Sequence, residues 1–138
     1  MKDYIQHLNL IDLLSEKHTF LRKKIAELSD NEINKTENHI LAMLEVYEKL
    51  SIAELSRIIG ISRQGTHKYV QGLLAREYVQ VLDVEGNLRD KHIVLTSKGV
   101  ECCERLLIVK QQLIQQIEDK IGKEHTQFLK DILKQDWI

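Results

Sequence analysis

The sequence predicts a mainly α-helical fold with one small β-hairpin between residues 79 and 95. Three observations carry this. There is no proline among the 138 residues, so nothing breaks a long helix from within. Apolar residues recur at three- and four-residue steps along most of the chain. Between 79 and 95 the period changes to β-branched runs on either side of a Gly86-Asn87 turn.

The length suits a single domain with a core of its own. Hydrophobic residues make up 43% and charged residues 30%, an ordinary balance for a soluble protein. No apolar run approaches the ~20 residues of a membrane span. Met1-Lys2-Asp3-Tyr4 opens no apolar signal region, so a cytoplasmic location is expected. The formal net charge of -1 excludes a strongly basic nucleic-acid coat protein. It leaves room for a DNA reader, which needs only a local basic face. The two cysteines, Cys102 and Cys103, are adjacent, which excludes a disulfide framework and a Cys-rich zinc site within one chain.

Each element follows from its local pattern. Residues 4–28 read as one helix, with Ile5, Leu8, Leu14, Leu21, Ile25 and Leu28 at helical steps. Leu10, Leu13 and Phe20 widen its apolar face, so it is expected to meet more than its own domain. Ser29-Asp30-Asn31-Glu32 is a break. A second helix is predicted over 35–48, with Thr36 as a cap and Ile40, Leu41, Leu44 and Tyr47 inward. Ser51 and Glu54 form a capping box that opens a short helix over 52–59, with Leu55, Ile58 and Ile59 inward. Gly60 ends it with the left-handed backbone that other residues adopt at a cost. Ser62 caps the next helix, which runs to about Arg76 with Val70, Leu73 and Leu74 inward.

Strand-like residues then run from Val79 to Val84 and from His92 to Leu95. Thr96 restarts a helix that reaches about Gly122, with Val100, Cys103, Leu107, Ile114, Ile117 and Ile121 as its stripe. A last helix, about 124–135, carries Phe128, Leu129, Ile132 and Leu133. The whole reads as a winged helix-turn-helix, mainly α with a small β-wing, between N- and C-terminal helices.

The chemistry sits in the second helix of that pair. Ser62, Arg63, Gln64, Thr66, His67 and Lys68 cluster near its start. An α-helix fits the major groove and brings its first residues to base edges. Arg suits guanine, Gln suits adenine, and a capped helix N-terminus suits phosphate. For one helix taken alone, a solvated polar face is the commoner fate of such residues. Two capped helices, a glycine turn and a basic hairpin in this order favour DNA. At the hairpin tip, Arg89 and Lys91 suit a narrow minor groove or phosphate. The alternative is a charged tip that blunts a strand edge.

The helix-turn-helix from Leu55 to Leu74, the wing with Arg89, and Leu95-Thr96-Ser97-Lys98-Gly99 together resemble the MarR family of bacterial regulators. The likeness spans nearly the full length. That family commonly shows an Arg seven residues before the Thr of a Leu-Thr-x-x-Gly motif, the spacing of Arg89 from Thr96. Two positions depart from it: Asn87 stands where an Asp is frequent, and Glu77 where a Gly is usual. The resemblance implies one domain over 1–138, with 1–34 and 100–138 as dimerisation helices and 35–98 as the winged helix. It implies a homodimer on a pseudo-palindromic double-stranded DNA operator, with half-sites ~10 bp apart. It also implies a repressor released by a small-molecule effector or a stress signal.

Cys102 and Cys103 are candidate redox residues, although free cysteines are more often inert core. No histidine pair at i, i+4 suggests a metal site, and no cofactor is expected. No nucleophile–base pair, phosphate loop or metal motif suggests an enzyme. The alternatives are a winged-helix protein-interaction module and a thiol- or metal-responsive sensor on the same scaffold.

Overall fold

The computed structural model describes residues 2–29, 32–84 and 87–138, with the side chains at 2–3, 84 and 87–90 left aside. Among the described residues, seven helices and three strands follow in the order α1 (Lys2–Gln6), α2 (Leu10–Leu28), α3 (Lys35–Tyr47), β1 (Lys49–Leu50), α4 (Ile52–Ile59), α5 (Arg63–Ala75), β2 (Val79–Val84), β3 (Asn87–Leu95), α6 (Ser97–Ile121) and α7 (Lys123–Leu133).

The N-terminal helix expected as one piece is two. The first stops at Gln6, and the Asn9 side chain caps the second by accepting the Asp12 N–H at 2.8 Å. Apolar periodicity runs through such a break, and a capping residue creates it. Helix α3 starts at a full capping box formed by Asn34 and Glu37, not at Thr36. The segment Ser29-Asp30-Asn31-Glu32 falls partly outside the described residues, at 30 and 31.

The sheet is antiparallel in the order β1-β3-β2, with Val79 opposite Leu95 and Val81 opposite Ile93. A register shift between Asp83 and Val84 bends the hairpin towards its tip. The third strand, β1, is two residues long, with Leu50 opposite Ile93. So short a strand leaves no periodic signature in the sequence.

The core gathers Ile40, Leu41 and Leu44 of α3, Leu55 of α4, Val70 and Leu73 of α5, and Tyr78, Val79 and Ile93 of the sheet. Helix α6 closes it with Cys102, Cys103, Leu106, Val109 and Leu113. Of the stripe expected on α6, only Cys103 is buried and Ile117 is half-buried; Val100, Leu107, Ile114 and Ile121 are exposed. The helix is 25 residues, roughly 37 Å long, and carries apolar side chains on both a buried and an exposed side. The seven-residue step from Val100 to Ile121 follows the face turned away from the core. Ile58 was also expected inward and is 38% exposed.

Helix α7 buries none of its residues, and Phe128, Leu129 and Leu133 all stand exposed. Trp137 donates its indole N–H to the Ile132 carbonyl at 2.9 Å. Among the described residues, no helix is long and apolar enough to cross a membrane.

Candidate nucleic-acid interface

The interface is built on two capping events and one turn. The Ser51 hydroxyl accepts the Glu54 N–H at 3.1 Å, and the Glu54 carboxylate accepts the Ser51 N–H at 3.0 Å. Hydrogen bonding from the Ser51 backbone N–H first, and then from the Ser51 side chain, holds the Glu54 carboxyl below its usual range. At the other end of α4, Gly60 takes φ 81° and donates its N–H to the Ser56 carbonyl. Ser56 is buried, and its hydroxyl donates to the Ala53 carbonyl at 2.9 Å.

Helix α5 then starts at Ser62, whose hydroxyl oxygen accepts the Gly65 N–H at 2.9 Å. A Cβ at Gly65 would sit 3.0 Å from that same oxygen. The small residue therefore makes room for the cap. Thr66 is fully buried, and its hydroxyl donates back to the Ser62 carbonyl at 2.8 Å. This corrects the expectation for Thr66. Its side chain faces the core and fastens the first turn of α5, so it is out of reach of a base edge.

Arg63, Gln64, His67 and Lys68 remain exposed on the opposite face, with Ser62 at its edge. They recur at the one- and four-residue steps that align side chains along one side of a helix. The Gln71 amide lies 3.3 Å from the His67 ring nitrogen Nε2, one turn further on. Gln71 was missed from the sequence, although its i, i+4 spacing from His67 was there to be read.

A groove of about 590 Å³ runs between α5, the start of α4 and the sheet. Arg63, His67, Gln71 and Lys91 line it with Ser51. Lys91, on β3, is exposed and pairs in register with Asp83. Arg89 belongs to the same strand, and its side chain lies outside the described residues, as does the tip at 85–86.

Burial stands against the redox role expected of the cysteines. Both are buried at 3% exposure, and the Cys103 thiol donates to the Leu41 carbonyl at 3.6 Å. Burial, with Glu45 nearby, pushes the Cys103 thiol up to about 12. A redox-active cysteine needs an exposed, stabilised thiolate, and Cys103 is neither exposed nor readily ionised.

The fold does bring two distant histidines together. The rings of His18 on α2 and His39 on α3 lie 5.7 Å apart. Burial, and then the charges of Arg22, His18 and Lys110, hold His39 down at about 4. Among the described residues, no three His, Cys, Asp or Glu side chains gather into a metal-holding group.

A capped helix, a left-handed glycine turn, a second capped helix and an antiparallel hairpin define a winged helix-turn-helix protein. Residues 33–90 match the model of the MarR family. The fold extends beyond the matched segment. It is similar to the reduced form of MarR from E. coli, at 17% identity and a TM-score of 0.78, over 92% of this chain and 95% of that one. It is similar to MepR, a transcription regulator of the Staphylococcus aureus multidrug efflux pump MepA, at 16% identity and a TM-score of 0.70, over 91% and 94%. A transcriptional regulator from Thermotoga maritima matches at 24% identity and a TM-score of 0.64, over 90% and 89%. No significant sequence match is found among curated proteins.

Proposed function

We propose that this chain is a cytoplasmic homodimeric repressor that reads a pseudo-palindromic DNA operator and releases it when a small ligand or stress signal alters the dimer. The match of residues 33–90 to the MarR family model supports a DNA-binding regulator. The observation that carries the finer reading is the joint exposure of Arg63, Gln64, His67 and Lys68 at the start of a capped helix beside an open groove.

In this reading the start of α5 enters the major groove. Arg63 and Gln64 meet base edges, and Ser62 with the helix N-terminus meets phosphate. His67 and Lys68 add contacts on the same face, and Arg89 and Lys91 follow the neighbouring backbone or minor groove. Residues 1–138 act as one domain, with 35–98 reading DNA and 1–34 and 100–138 forming the dimer. The exposed apolar side chains Leu10, Ile11 and Phe20 of α2, Leu107 and Ile114 of α6, and Phe128 of α7 support that division. Large exposed apolar patches commonly mark protein–protein contacts.

The test is sedimentation of the purified chain followed by selection from random-sequence DNA. A dimer that enriches an inverted repeat with half-sites ~10 bp apart supports the reading. A folded chain that enriches no sequence would point instead to a winged-helix protein-interaction module.

A further inference from the structure

The rear end of α5 is held by a cluster that the DNA contacts leave unused. Arg76 caps the helix, and its Nε donates to the Gly72 carbonyl at 3.0 Å. Its guanidinium forms an ion pair with Glu37 of α3 and donates to the backbone carbonyl of Glu32, in the connection before α3. The Glu37 side chain is only 5% exposed, and that of Arg76 is 31% exposed. The other Glu37 oxygen accepts the Asn34 N–H that opens α3. One carboxylate thus ties the start of α3 to the end of α5.

The same residue reaches α6. The Arg76 carbonyl accepts from Lys98 Nζ at 2.7 Å, and that ammonium lies 4.3 Å from the centre of the Tyr78 ring. The Tyr78 hydroxyl donates to the Glu32 carboxylate at 2.7 Å. A Cβ at Gly72 would sit 3.2 Å from Arg76 Nη2 and 3.4 Å from Glu37 Oε2. The ion pair is therefore seated directly on the helix backbone.

We infer that Arg76 is a positioning residue that fixes the angle of the reading helix against α3 and α6. The inference rests on the DNA-reading role proposed above. Helix α5 has 13 residues, so Arg76 acts at one end of a lever roughly 20 Å long, with Arg63 at the other. A small change of angle at Arg76 moves the DNA-contacting residues by more than a hydrogen bond tolerates. In a dimer, that angle sets the distance between the two reading helices. Removing Arg76 alone would strand a buried carboxylate, which is strongly destabilising. Replacing both partners by neutral amides removes the clamp and leaves no lone charge.

The experiment compares the wild type, Arg76→Lys and the double variant Glu37→Gln/Arg76→Gln, all as full chains checked for cooperative melting. Binding is measured on the selected operator and on versions with half-sites moved apart or together by one base pair. The double variant is expected to lose roughly tenfold in affinity for the best spacing and to discriminate less among spacings. Arg76→Lys keeps the charge, and its affinity is expected between the two. A folded double variant with wild-type affinity and spacing preference overturns the inference. A second readout does not need DNA: the distance between spin labels at Gln64 and Gln111 of one chain. Its distribution is expected to broaden in the double variant, and an unchanged distribution overturns the inference. If the wild type itself selects no DNA, the regulator reading fails, and the label distances still decide the role of Arg76.

Discussion

A Cβ placed on Gly99 would lie 2.2 Å from the backbone carbonyl oxygen of Tyr78. That oxygen cannot step aside freely, because it accepts the Thr96 N–H at 3.1 Å. The first turn of α6 therefore touches the start of the wing backbone to backbone. Gly99→Ala is expected to destabilise the fold by about 2 kcal/mol, in the range for overpacking a tight contact. Urea denaturation of the purified variant measures this. Unchanged stability would mean that α6 is not held against β2 in this way.

Thr66 and its exposed neighbours separate two roles along one helix. Thr66→Val removes the buried hydroxyl that donates to the Ser62 carbonyl while keeping the shape. It is expected to cost about 1 kcal/mol of stability, the usual net value of such a bond. DNA sequence preference should be kept in the folded fraction. A changed base preference would return Thr66 to the reading face.

His39 makes stability depend on pH. Its folded value, about 4, lies below its ordinary 6.5. Between those values the unfolded chain binds the proton and the folded chain resists it. Stability is therefore full above about 6.5 and is lost progressively as the pH falls towards 4. Protonation would add a charge beside Arg22 and Lys110. The melting temperature is expected to fall more steeply between pH 7 and pH 5 in the wild type than in His39→Gln. Parallel pH profiles would contradict this.

The thiols give a sharper test of the cysteine correction. Both are buried, and Cys103 resists ionisation. A disulfide reagent at pH 8 is expected to leave the native chain almost unmodified and to label both cysteines quickly in denaturant. Rapid labelling of the native chain would revive the oxidant-sensing alternative.

What was legible in the sequence was local. Ser51 with Glu54, Gly60, Ser62 and Thr96 lie within a few residues of the groups they cap, so their type and spacing announced α4, α5 and α6. The break at Asn9 was hidden because the apolar period continues across it. The inner face of α6 was misread because its two apolar faces share one helical period, and only tertiary contact says which is covered. Thr66 was misassigned for a similar reason: polarity suggested an outward face, and a backbone carbonyl one turn earlier satisfies its hydroxyl. The Arg76–Glu37 pair spans 39 positions, a separation at which no short motif speaks.

The central claim is that the exposed start of α5 and the wing read DNA. The most direct measurement is fluorescence anisotropy of the full chain on its selected operator and on scrambled DNA, across a salt series. The variant Arg63→Ala/Lys68→Ala/Arg89→Ala is run beside it. The wild type is expected to prefer the operator by at least roughly a thousandfold, with a steep salt dependence. The variant, folded, is expected to lose that preference and part of the salt slope. Equal binding by the wild type and the folded variant would contradict the account.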